Sequence, residues 1–198
     1  MVTVSQSRRE QMLERVVDYV IEHGIAELTL RRLAESAGTN NRMLLYYFGS
    51  REQIIVEAMR TAEIRFPRMQ VMLAVIDEAD RPLTDRLEGA WDILADPANL
   101  PFHRLFFQIF GLAGFEQNRF SDLLATVGTE WVDHVAGAIG AEGLDEQRSL
   151  VYAHEVVAVW RGLQMTLIGQ VDAATVSATA SESLGAIVAR VRAEAARP

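Results

Sequence analysis

The chain contains no cysteine and no lysine. Without thiols it can build neither a disulfide framework nor a thiolate metal site. All of its 19 basic residues are arginine, set against 27 acids for a formal net charge of −8. No apolar run follows Arg8-Arg9, only an amphipathic pattern interrupted by Glu10, Glu14 and Asp18, so no signal peptide is expected. The most apolar stretch, 150–169, holds His154, Glu155 and Arg161 and reads as a buried helix rather than a membrane span. A cytoplasmic protein with no membrane contact is therefore expected. Strand alternation, hairpin signals, internal repeats, a glycine-rich phosphate loop and a nucleophile elbow are all missing. His154-Glu155 begins like a helical zinc-protease motif, but Ala158 stands where the second histidine belongs, and Glu130 and His134 gain no third ligand at fixed spacing. No enzyme activity, metal or cofactor is expected.

What is present is a folding sequence. Apolar residues make up 49% of the 198, too many for a disordered chain. Their spacing is helical throughout, which predicts an all-α protein. Predicted helices run over 7–22, 29–37, 41–47, from Ser50 until Pro67 stops or kinks the chain, and over 71–78, 82–95, 101–115, 119–139, 145–168 and 174–195.

The stretch 29–51 is the most informative. Thr29 offers an N-cap, Leu30, Leu33, Ala34 and Ala37 follow at helical spacing, and Gly38 stops the helix. Thr39 and Asn40 can cap a second short helix that ends at Phe48-Gly49, giving a helix-turn-helix whose second helix suits a DNA major groove. Asn40, Asn41, Arg42, Tyr46 and Tyr47 crowd hydrogen-bonding groups onto it. Asn and Arg pair bidentately with adenine and guanine edges, and tyrosine hydroxyls reach phosphates. The acidic total does not contradict this. Residues 1–60 carry eight arginines and eight acids, while 28–51 hold Arg31, Arg32, Arg42 and Arg51 against Glu35 alone.

Thr29 to Ala34, the Ala37-Gly38 pair, Leu44, the Tyr46-Tyr47-Phe48 cluster and Ser50-Arg51-Glu52 together resemble the DNA-binding signature of the tetracycline-repressor (TetR) family of one-component regulators. The chain departs from that pattern at Asn40, Asn41 and Arg42, where a hydroxyl residue, a variable one and glycine are usual, and at Leu45, where tyrosine is usual. The resemblance implies a helix-turn-helix DNA-binding domain over 1–60 and a larger helical effector-binding and dimerisation domain over 61–198. It further implies a ligand-responsive repressor that binds a palindromic double-stranded operator as a homodimer. DNA contact is expected from Thr29, Arg31, Thr39, Asn40, Asn41 and Arg42, and from Leu44, Tyr46, Tyr47 and Arg51. A DNA-binding helical protein without an effector is the alternative, and a helical enzyme a more remote one.

Two constellations stand out beyond residue 60. Trp91, Phe106, Phe107, Phe110 and Trp131 either wall an apolar pocket or fill a core. His103, His134, His154, Arg161 and Gln164 are the polar groups that could orient a guest there, which points to an apolar small molecule with a polar or anionic group. Arg161 bridging to an acid in a dimer interface is the other reading. The second constellation is Ala158 and Gly162 on one helix with Gly185 and Ala189 on the next, small residues four apart that permit close helix approach. With Val157 they are the expected dimer interface.

Overall fold

Met12, Val16, Val17 and Val20 recur at helical spacing and are buried along one side of α1 (Val4–His23), with Leu13 and Ile21 half-buried beside them. The computed structural model describes residues 4–116 and 129–197, and among them there are helices and turns but no strand. Along the chain follow α2 (Leu30–Ser36), α3 (Asn41–Phe48), α4 (Arg51–Ile64), α5 (Pro67–Ile76), α6 (Leu83–Ala95), a 3-10 turn (Pro97–Asn99), α7 (Leu100–Phe115), α8 (Thr129–Gly140), α9 (Glu146–Ile168) and α10 (Ala173–Ala195). No helix of the described residues is long and apolar enough to cross a membrane.

Pro67 does not kink a helix. It opens α5, a position where its missing N–H would have no intrahelical partner in any case. Of the helix predicted over 119–139, residues 129–139 lie in α8 and the first part lies outside the described residues.

The described residues form two compact units. One holds α1 to α4 together with α7 from Pro101 onward; the other holds α5, α6 and α8 to α10. Residue 60 falls inside α4.

In the first unit α1 packs on α4, whose Ile54, Ile55, Ala58, Met59 and Ala62 are buried. Arg65, at the end of α4, ties back to Glu14 and Asp18 of α1. In the second unit α9 packs against α8, α6 and α10. Tyr152, Ala153, Val156, Val157, Trp160 and Gln164 form its buried face. Trp160 is fully enclosed, and burying a side chain of its class contributes roughly 1.5–3 kcal/mol or more. The α9–α10 pair is also latched at one end. Arg148 Nε donates to Glu194 at 2.5 Å and the Tyr152 hydroxyl donates to the same carboxylate at 2.9 Å, which together hold the Glu194 carboxyl down at about 2.

Candidate nucleic-acid interface and ligand cleft

The Thr29 hydroxyl accepts from the Arg32 backbone N–H at 3.2 Å and starts α2. The helix is closed by a Schellman turn: the Thr39 N–H reaches the Ala34 carbonyl at 2.9 Å, and the Gly38 N–H reaches that of Glu35 at 3.1 Å. Gly38 has φ +67°, and a Cβ added there would lie 2.4 Å from Arg15 Nη1. The positive φ is what calls for glycine, since the end of the exposed Arg15 side chain can swing aside. Asn40 Oδ1 then caps α3 by accepting from the Met43 N–H at 2.9 Å, and the Ser50 hydroxyl caps α4 by accepting from Gln53 at 3.1 Å.

These caps orient an eight-residue helix with two unlike faces. Leu44 and Phe48, one turn apart, are buried; Asn41, Arg42 and Tyr46 are exposed, Tyr46 to 77%. The Tyr46 and Tyr47 rings meet edge-on at 5.3 Å, so each restricts the other. Asn40 keeps its side-chain amide donors while its oxygen serves the cap. Thr39 is half-buried in the turn. Arg31 is exposed and paired with Glu35 at 2.8 Å, and Arg32 is paired with Glu27 at 3.1 Å. Among the described residues no acid pairs with Arg42. It is the arginine of the motif whose fork is open to a guanine edge or a phosphate.

Two of the residues expected at DNA do other work. Leu44 has no exposed surface, so its side chain anchors α3 to the core and cannot reach a base. Arg51 Nε donates to the Leu28 carbonyl at 2.9 Å and its guanidinium lies 3.6 Å from Glu52, which binds it across the start of the motif. The Leu44/Phe48 spacing of four in a short helix is the signal that separates the buried face from the reading face.

Two residues outside the motif hold it in place. Arg9 of α1 donates to the Tyr47 carbonyl and to Glu57. Gln108 of α7 accepts the Ile25 backbone N–H at 2.8 Å, at the turn between α1 and α2. Gly24, φ +70°, makes room for that amide, since a Cβ there would sit 2.3 Å from Gln108 Oε1. Neither contact has a local sequence signal, because the partners are 38 to 83 positions apart.

The ten candidate ligand residues fall in two units. His103, Phe106, Phe107 and Phe110 lie on α7, in the unit that carries the helix-turn-helix; the other six lie in the second unit. His103 is buried, and the Phe106 and Phe110 rings stack at 5.9 Å. Trp91 and Gln164 are buried in the second core, and Trp131 packs edge-on against Trp160 at 6.5 Å. His134 Nδ1 lies 2.9 Å from both oxygens of Asp77, so its ring is engaged in joining α8 to α5.

His154 and Arg161 do come together. With Thr129, Val132, Asp133, Leu150, Val157 and Ala158 they line a cleft of about 340 Å³ between α8 and α9, at the small end of the range for ligand sites. Its floor is aliphatic and its rim polar. Burial pushes the Arg161 guanidinium below its ordinary pKa, the mark of a cation only partly hydrated.

Of the expected interface residues, Ala158, Gly162 and Ala189 are exposed and Gly185 half-exposed, and a Cβ added at Gly162 or Gly185 meets nothing within 4 Å. These residues do not bring α9 and α10 of one chain together. Val157 points inward, 2% exposed, and belongs to the core and the cleft floor instead.

Residues 18–58 match the family model described as bacterial regulatory proteins, tetR family. A stretch of 84 residues is 32% identical to the HTH-type transcriptional repressor KstR2 of Mycolicibacterium smegmatis, covering 42% of this chain and 39% of that protein. The whole fold resembles that of a transcriptional regulator from Rhodococcus sp. Rha1, with TM-score 0.72 and 16% identity over 91% of this chain and 95% of the other. It also resembles that of Salmonella enterica GusR, with TM-score 0.68 and 14% identity over 94% and 97%.

Proposed function

We infer that this chain, whose N-terminal helices belong to the tetR family of bacterial regulatory proteins, is a DNA-binding transcriptional regulator, and we propose that it is a cytoplasmic, non-enzymatic, ligand-responsive repressor. The observation that carries the reading is the division of α3 into a buried Leu44/Phe48 face and an exposed Asn41/Arg42/Tyr46 face. A solvated face of that size needs no asparagine–arginine pair for solubility, whereas a major groove needs those side chains. Residues 1–60 read DNA in this account, and 61–198 bind the effector and dimerise. The repressor sense follows the name of the mycobacterial relative.

The dimer forms through the outer faces of α9 and α10. Ala158, Gly162, Gly185 and Ala189 let a second copy approach closely, and exposed Val151 and Met165, each 49% accessible, extend that surface with apolar area. Two-fold protein symmetry then imposes two-fold symmetry on the operator. The effector is a small amphiphile whose apolar body lies on Val132, Leu150 and Val157 and whose anionic group faces Arg161, with His154 and Asp133 at the rim. It acts by binding one arrangement of the helices more tightly than another.

Selection from a pool of random duplexes, followed by sequencing, tests the reading. A palindromic or near-palindromic consensus is expected. Arg42→Ala and Asn41→Ala should each weaken binding to it by roughly 1–3 kcal/mol, and retention of no duplex at low salt would sink the assignment.

A further inference from the structure

Arg9 of α1 touches two further helices through one guanidinium. Its Nε donates to the Tyr47 carbonyl at 3.3 Å, its Nη2 donates to both oxygens of Glu57 at 2.7 and 2.6 Å, and its central carbon stands 4.6 Å from the centroid of the Phe48 ring. Arg9 comes from α1, Tyr47 and Phe48 from the last turn of α3, and Glu57 from α4. Carbonyls of a last helical turn lack intrahelical partners and carry the negative end of the helix dipole, so a fixed cation is matched to that position. Only a planar fork can lie flat on a ring while its edge donates in two directions; an ammonium cannot do both. Arg9 and Glu57 are about one-third exposed, at 36% and 32%, so the pair is partly shielded and its geometry is set by four contacts rather than by one flexible bridge.

We propose that Arg9, oriented by Glu57, is a positioning residue for sequence reading: it fixes the C-terminal turn of α3, and with it the direction in which Tyr46 and Tyr47 leave the helix, without touching DNA itself. The inference rests on α3 being the DNA-reading helix. It adds that specificity depends on a clamp placed outside the helix-turn-helix. Loss of the clamp leaves the exposed charges of the motif in place, so attraction to any duplex survives while discrimination between duplexes falls.

The test uses the full chain, a duplex selected from a random pool against the wild type, and a scrambled duplex of equal length and composition. Affinities are titrated over a range of salt concentrations for Arg9→Met, Arg9→Lys, Glu57→Gln and the Arg9→Met/Glu57→Gln double variant. Arg9→Met and Glu57→Gln should each weaken the selected duplex about tenfold, the scale of one charge-assisted hydrogen bond, and change the scrambled one less than about twofold. The salt slope should not move, the double variant should be no weaker than the worse single one, and lysine should not rescue. If Arg9 instead contacts a phosphate, Arg9→Met weakens both duplexes alike and reduces the slope by about one, while Glu57→Gln does no harm; that pattern overturns the proposal. So does a lowered melting temperature with equal losses on both duplexes, which marks a residue that merely holds the fold. A wild type that retains neither duplex removes the DNA reading, and this proposal with it.

Discussion

Replacing Leu44 by alanine separates packing from contact in α3. The side chain has no accessible surface and sits one turn from buried Phe48. Truncation therefore leaves a cavity and loses transfer free energy, roughly 2–5 kcal/mol for a buried leucine. The helix has only eight residues and cannot stand without that packing. A cost of about 2 kcal/mol multiplies the population of the opened helix roughly 30-fold, since about 1.4 kcal/mol is a factor of ten. Hydrogen exchange followed residue by residue reads this directly. The α2 and α3 amides of Leu44→Ala should exchange at least about 30-fold faster than in the wild type, while Leu44→Met, close in volume, should stay within about tenfold. DNA affinity should fall only as far as the closed fraction falls, and return on cooling toward the temperature of greatest stability. Unchanged exchange in Leu44→Ala combined with a weakened operator would refute the packing argument and restore Leu44 as a direct contact.

Gly38→Ala should destabilise the turn by about 1–2 kcal/mol, because φ +67° disfavours a Cβ; thermal melts of the two proteins would show it, and equal melting temperatures would contradict it. Gln108→Leu removes the acceptor of the Ile25 N–H at nearly constant volume and should cost roughly 1–3 kcal/mol, visible as faster exchange of that one amide. Gly185→Glu should yield monomers in sedimentation: glutamate favours the α10 helix over glycine, so the protomer keeps its fold, while a carboxylate cannot be buried cheaply against a second copy. Glu194 has its carboxyl held at about 2 against an ordinary 4.5, so its ionised form stabilises the fold fully above about pH 4.5 and loses that effect as pH falls toward 2. The stability gap between wild type and Glu194→Gln should accordingly close over that window, and a gap independent of pH would show that the latch to Arg148 and Tyr152 is not what depresses it.

Local chemistry was legible in the sequence where it is local in the fold. Thr29, Asn40 and Ser50 each cap the helix their side chains predict, and Gly38 closes α2 because a positive φ and a Schellman turn are written into one residue and its neighbours. The apolar stripe of α1 follows from periodicity. Leu44 was placed at DNA because its helix was, although its spacing from Phe48 marks the inner face. Pro67 reads as a stop or a kink; α4 stops before it, at Ile64, and Pro67 opens the next helix. Grouping Phe106, Phe107 and Phe110 with Trp131 and Trp91 joins residues of two units. Helical spacing tells which residues share a face and nothing of which unit the helix joins, and α7 from Pro101 joins the N-terminal helices. Arg9 and Gln108 reach backbone groups 38 and 83 positions away, which no window of sequence contains.

Footprinting of the wild type on its selected duplex bears on the central claim most directly. Two protected half-sites are predicted, related by a two-fold axis, with centres about one helical turn (about 34–36 Å) or somewhat more apart, and Arg42→Ala should shift protection at both together to higher protein concentration. A single unsymmetrical protected patch, or protection that Asn41→Ala and Arg42→Ala leave unchanged, would contradict α3 as the reading helix of a symmetric regulator.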